Sequence, residues 1–134
     1  MSASDGLPRW ASFATVGAIG LAVQLGALAV LTGWAELPVP VATTIAVEVT
    51  VLHNFAWHEW WTWRDRARTT GRRWPLRFAR FHAASGLVSL GGNVALTLAL
   101  VEWVRAPIVI ANASAVAILG LVNFVVADRF VFEP

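Results

Sequence analysis

Four long stretches of this chain carry almost no charge, and they restrict its possible folds more than any other feature. They run from about Ala11 to Thr32, Val39 to Trp57, Ala83 to Val101 and Pro107 to Ala127. Each is close to the roughly 20 residues an α-helix needs to cross about 30 Å of hydrocarbon. A helix of a soluble bundle would show a polar face, and these mostly do not. With 57% hydrophobic residues and 13% charged, the expectation is an all-α integral membrane protein with four transmembrane helices.

The second stretch ends in HNFAWHEWWTWRDR, His53 to Arg66, where apolar helix gives way to polar groups, then tryptophan, then arginine. Trp57, Trp60, Trp61 and Trp63 suit the headgroup layer, and Arg64, Arg66 and Arg68 follow on the side where positive charge is normally retained. Between Arg64 and Arg80 stand seven arginines against one acid, Asp65, while the other turns hold only Arg105. This asymmetry predicts a cytosolic loop over residues 64–80 and cytosolic N and C termini. Because the arginines gather at one membrane edge, anionic lipid headgroups, and not nucleic acid, are the expected counter-charge despite a sequence pI near 11.0. The first stretch follows Arg9 and Trp10, exceeds an export-signal core in length and lacks a small-x-small cleavage site, so it is expected to remain a span. Residues Met1–Leu7 are small and polar and are expected to be loose. The chain has no cysteine, which excludes disulfides, thiol nucleophiles and thiolate metal sites together.

Polar residues inside the spans mark where helices meet protein and not lipid. Ala18, Ala22 and Gly26 form a small-residue stripe suited to close helix approach, and Gln24 shares that span. Glu48 is the one carboxylate near a bilayer midplane, where an ionised acid costs about 2.5–3.5 kcal/mol on insertion scales. It should be protonated, paired or turned to a wet cavity. Thr43, Thr50, Asn54 and Trp57 share one face of the second span, and Thr44, Glu48, Phe55 and Glu59 another about 120° away, with His58 between them. His53 and His58 are splayed by about 140°, which misses the i, i+4 spacing of a helical metal pair. The third span carries Ser85, Ser89, Asn93 and Thr97 at strict four-residue spacing, and the fourth holds Asn112, Ser114, Gly120 and Asn123. Ahead of the third span, Trp74, Phe78 and Phe81 lie beside Arg73, Arg77 and Arg80, the pattern of a short amphipathic helix lying on the membrane.

A shift of 69 residues places Gly17 on Gly86, Gln24 on Asn93, Trp34 on Trp103, Pro38 on Pro107, Asn54-Phe55 on Asn123-Phe124 and Glu59 on Asp128. Arg9 and Phe13 meet Arg77 and Phe81 after a one-residue slip. The coincidences include rare residues and imply a duplication, with repeat 1 at about 9–63, the basic loop at 64–80 and repeat 2 at about 77–132. Two spans per repeat give both copies the same orientation, so the helical hairpins form a parallel repeat. Glu48 and His58 fall opposite Ala117 and Ala127, which makes any chemistry of theirs one-sided.

The Asn-Phe exits, NF…H-E-x-x-T-W over Asn54–Trp63 and NF…D-R-x-V-F over Asn123–Phe132, resemble the GtrA-like family of small four-span bacterial membrane proteins, as do Phe13, Gly17 and the arginine loop. The resemblance runs from about Arg9 to Phe132. It implies a multi-pass protein of the bacterial cytoplasmic membrane in cell-surface polysaccharide synthesis, translocating (flipping) a polyprenyl-phosphate-linked sugar. A second reading is a non-transporting accessory subunit that docks a membrane glycosyltransferase. A third, a proton-coupled exporter similar to the small multidrug resistance family and using Glu48, conflicts with the strong charge bias and the duplicated exits.

A lipid-linked sugar phosphate needs a polar seam that spares its head from hydrocarbon, and Gln24, Thr44, Glu48, Asn93, Thr97 and Asn112 are the candidates. Arg64, Arg66 and Arg129 are placed to receive the phosphate by bidentate contacts. Asn54, His58, Glu59, Asn123 and Asp128 are candidates for bonding sugar hydroxyls, or instead cap helix ends and hold the exits. Two spans per repeat make a narrow bundle, so a homodimer is expected if a whole glycolipid head is to pass. No nucleophile–base pair, glycine-rich phosphate loop or metal cluster is visible, so neither enzymatic activity, a cofactor nor a metal is expected.

Overall fold

The computed structural model describes residues 7–69 and 73–133, leaving aside the side chains of Arg68, Thr69, Leu90 and Ile108. Most of the N-terminal stretch expected to be loose, and Arg72 of the basic loop, lie outside the described residues. Among the described residues every regular element is helical: α1 Arg9–Gly33, α2 Val39–Trp57, α3 Arg64–Thr69, α4 Trp74–Ala84, α5 Asn93–Glu102 and α6 Ile108–Val126. Three π-helical segments extend them. His58–Thr62 continues α2, Ser85–Gly92 carries α4 into α5, and Ala127–Val131 ends α6.

Four of the resulting runs are long and apolar enough to cross a membrane: Arg9–Gly33, Val39–Thr62, Trp74–Glu102 and Val109–Val131. Their outer surfaces are apolar, with Leu21, Leu25, Val49, Leu98, Val116 and Leu121 exposed. Helices that are apolar around most of their circumference suit lipid as solvent, and the chain is a multi-pass membrane protein.

The third run differs from expectation. In place of a surface helix followed by a separate span, Trp74–Glu102 is one continuous 29-residue helix, about 43 Å long, so its first turns extend past the hydrocarbon. Arg77, expected on the polar side, is only 5% exposed, and Phe81 is buried beside it. Trp74 and Phe78 stack on each other at 5.6 Å.

Contacts divide the chain into two compact units, Met1–Arg68 and Thr69–Pro134. In the first, α1 and α2 pack as an antiparallel hairpin. Ser12, Val16 and Gly20 are buried on α1, and Ala42, Ala46 and Thr50 on α2, each set at four-residue spacing. The Ala18, Ala22 and Gly26 stripe is instead exposed, and a Cβ on Gly26 would meet nothing within 4 Å. In the second unit α5 and the π segment before it pack against α6, whose Ala111 and Ala115 are buried. These alanines stand 69 residues after Ala42 and Ala46.

The two interhelical turns have one design. Glu36 and Arg105 take positive φ, 52° and 58°. Leu37 N–H reaches back to the Leu31 carbonyl at 3.0 Å, and Ala106 N–H to that of Leu100 at 3.2 Å, bonds that tie off otherwise unpaired carbonyls at a helix end. Pro38 and Pro107 then start the next helix with nearly identical dihedrals, −56°/140° and −55°/140°. The third run also accommodates the one-residue slip in the 69-residue correspondence. One extra residue lies between Phe81 and Gly86 relative to Phe13 and Gly17, and the π segment that begins at Ser85 widens the turn to hold it.

Candidate functional site

Each Asn-Phe exit ends in a π turn. Trp63 N–H bonds the His58 carbonyl at 2.9 Å, and Phe132 N–H bonds that of Ala127 at 2.9 Å. This wider turn rotates Trp63 and Phe132 back into their hairpins, where both are 0% exposed. The aromatic residue that closes the motif therefore serves the fold. In the first unit its neighbours are rings: Phe13 stacks on His58 with centroids 4.8 Å apart and planes within 8°, and Trp63 meets His58 edge-on at 5.3 Å. In the second unit Phe132 meets Phe81 edge-on at 6.4 Å, and Ala127 occupies the place of His58.

The site residues expected from sequence divide into groups. His58, expected to bridge two faces, is 2% exposed, with Nδ1 3.1 Å from the Thr62 hydroxyl. It packs inside the hairpin and not on a surface that a ligand would reach. Asn54 lies over Gly20, and its Oδ1 is 3.1 Å from Nδ1 of His53. Asn123 donates to the Ser89 hydroxyl at 2.9 Å. Since Ser89 stands 69 residues after Gly20, both exit asparagines meet the partner helix at the same crossing.

Asn93 and Asn112 come together. Asn93 Oδ1 accepts from Asn112 Nδ2 and from the Thr97 hydroxyl, each at 3.1 Å, and Asn112 Nδ2 is also 3.4 Å from Thr97 Oγ1. Along α6 this cluster and the Asn123–Ser89 bond are about 16 Å apart, two polar rungs in one apolar helix pair. Among the described residues the first unit does not repeat the Asn93–Asn112, or upper, rung: the positions 69 residues earlier are Gln24, Leu28 and Thr43, and the Thr43 hydroxyl donates back to the Val39 carbonyl at 2.7 Å. Gln24 is half-buried, Glu48 is exposed midway along α2, and the Thr44 hydroxyl donates back to the Pro40 carbonyl at 2.9 Å.

The remaining charged candidates sit at the exits. Glu59 and Asp128 are half-buried on the π turns, Arg129 is exposed beside Asp128, Arg66 is half-buried on α3, and Arg64 is exposed at its start. Two ion pairs fasten the ends: Arg9 with Asp65, and Arg80 with Glu133, Arg80 also donating to the Phe130 carbonyl at 3.0 Å.

One feature was not singled out from sequence. Trp57, Trp60, Trp61 and Arg64 line an open cleft of about 320 Å³ at the end of α2. Their i, i+3, i+4, i+7 spacing is the signal the sequence carries, and by itself it fits interfacial anchoring equally well.

Four apolar helical runs, with indole and guanidinium groups crowded at the end of one of them, define a small polytopic membrane protein. The GtrA/DPMS transmembrane domain matches residues 12–132, and the chain belongs to that family. Membership associates it with the handling of sugars on carrier lipids. No curated protein matches the chain.

Proposed function

We propose that this protein translocates a polyprenyl-phosphate-linked sugar across the bacterial cytoplasmic membrane as a duplicated, parallel pair of helical hairpins with both termini and the arginine edge in the cytosol. The observation that carries this reading is the pair of polar rungs in the second unit. Amides inside lipid are retained where they bond to protein or to something passing between helices. Asn93, Thr97 and Asn112 at one depth, and Ser89 with Asn123 at another, give sugar hydroxyls successive partners. Arg64, Arg66 and Arg129 supply guanidinium groups for the phosphate at the edge. The chemistry is carriage, with no bond made or broken, no cofactor and no metal.

The accessory reading has its own support, because the rung amides are already bonded to one another and so can serve helix packing alone. Reconstitution of the purified protein in liposomes with a short-chain prenyl phosphoryl sugar separates the two. Protein-dependent crossing is the expected result. Its absence, with crossing restored only when a membrane glycosyltransferase is added, assigns the accessory role.

A further inference from the structure

The cleft at the end of α2 has no role in the polar seam. Trp57 and Trp60 have centroids 5.1 Å apart at 62°, and Trp57 and Trp61 6.3 Å apart at 70°, so the rings form crossed walls and not a closed stack. Trp60 is 68% exposed, which leaves an indole face open. Arg64 stands one turn beyond Trp60, at the rim.

Anchoring at a membrane interface does not require this arrangement. The positions 69 residues later are Val126, Arg129, Phe130 and Glu133, and that exit closes with the same π turn without any tryptophan there. Three indoles around one hollow exceed what the exit itself demands. The hollow is at the small end of the roughly 300–1,000 Å³ typical of ligand sites, matching one sugar ring and its phosphate.

The lining selects the ligand. An indole face is electron-rich, and the C–H bonds on one side of a pyranose ring present the opposite polarity, so ring and sugar stack while the hydroxyls stay in water. A guanidinium at the rim matches a phosphate with two parallel hydrogen bonds. At this end Arg9, Arg64 and Arg66 stand against Glu59 and Asp65, an excess of one positive charge that favours an anion at the cleft.

We infer that Trp57, Trp60, Trp61 and Arg64 form the subsite for the sugar ring of a prenyl-linked hexosyl phosphate, the ring against Trp60 and the phosphate on Arg64. This rests on the carrier reading above. The test uses the full chain in nanodiscs of zwitterionic lipid, with binding measured for prenyl phosphate and for prenyl phosphoryl glucose, galactose and mannose of equal chain length. At least one hexosyl compound binds more tightly than prenyl phosphate by about fivefold or more, the worth of one aromatic contact. Trp60→Leu, at an exposed position, abolishes that ratio and leaves prenyl phosphate binding unchanged, whereas Arg64→Gln weakens both ligands alike.

A ratio that survives Trp60→Leu and Trp57→Leu, or a wild-type protein with no preference for any hexosyl compound, overturns the subsite. So does loss of the ratio in phosphatidylglycerol nanodiscs, which marks the cleft as a phospholipid headgroup site. If glycolipid crossing persists in any of these cases, the sugar is held elsewhere and the carrier reading stands. If neither prenyl ligand binds the wild-type protein and none crosses, both fall.

Discussion

Asn54 lays its carboxamide across Gly20 of the neighbouring helix, with Cγ and Nδ2 2.9 and 2.8 Å from where a Cβ would stand. The glycine is what lets α1 and α2 close at this point. Gly20→Ala should lower stability by about 1–3 kcal/mol through overpacking. Asn54→Ala in the same chain should recover most of that loss, because the clash is with one side chain. Thermal unfolding in detergent of the two single variants and the double variant measures the coupling, and simple additivity would contradict the contact.

Glu36 holds a left-handed backbone conformation that a residue with a Cβ adopts at a cost of about 1–2 kcal/mol. Glycine removes that cost but adds freedom to the unfolded chain, so Glu36→Gly should raise stability by at most about 1 kcal/mol. Arg105→Gly should behave in the same way, since its turn has the same bonds. Glu36→Ala keeps the Cβ and should leave the unfolding midpoint where it was.

His58 fills the space between Phe13 and Trp63, rings that in the first unit are set around an imidazole, whereas Phe81 and Phe132 of the second unit are set around the smaller Ala127. His58→Ala should therefore open a cavity and cost about 2–4 kcal/mol, in the range of buried large-to-small changes. His58→Phe keeps a flat ring against Phe13 and gives up the Thr62 contact, so it should cost clearly less. If transport fails in both variants to the same degree while His58→Phe stays folded, the imidazole has a role beyond packing.

The spans were legible because lipid demands long uncharged helices and little else produces them. The 69-residue correspondence was visible in Trp34/Trp103, Pro38/Pro107 and the Asn-Phe pairs, whose rarity makes coincidence costly. Ala42/Ala111 and Ala46/Ala115 mark the buried faces just as faithfully, yet alanine is so common here that a match carries no signal. The Ala18, Ala22 and Gly26 stripe is not the face on which α1 meets α2; the sequence does not separate the two, because small residues read alike wherever they stand on a helix. A break ahead of the third span was expected because arginine interrupts hydropathy without interrupting a helix, whose bonds are made by backbone. The polarity of His58 was legible, but its stacking against Phe13 and Trp63 was not, because partners 45 and five residues away meet it only in the folded hairpin. The tryptophan cleft needed the geometry of the exit, since four-residue spacing alone does not distinguish a hollow from an anchor.

Asn93 accepts two hydrogen bonds at once, so the amides of the upper rung are not equivalent. Asn112→Leu should cost little, about 0.6 kcal/mol and at most about 1.7, as for single interhelical bonds in membranes. Asn93→Leu removes the shared acceptor and should cost more. If the rungs serve passage, both variants should slow glycolipid crossing in liposomes beyond what their stability loss explains. Equal crossing rates in folded Asn93→Leu and wild-type protein would confine the rung to packing.

Under the proposed duplication of two-span units, the chain returns after α1 and α2 to the side where it began, the second unit repeats the orientation of the first and both interhelical turns emerge together. The same proposal uses retention of arginine to put that shared starting side in the cytosol. Because the chain has no cysteine, single cysteines report without background. Ala35→Cys and Val104→Cys, in the two turns, should both react with a membrane-impermeant maleimide applied to intact cells, and Thr70→Cys only after permeabilisation. Labelling of Thr70→Cys from outside would invert the protein and remove the arginine edge from the cytosolic leaflet. Labelling of one turn without the other would break the parallel repeat itself, whatever the charge bias.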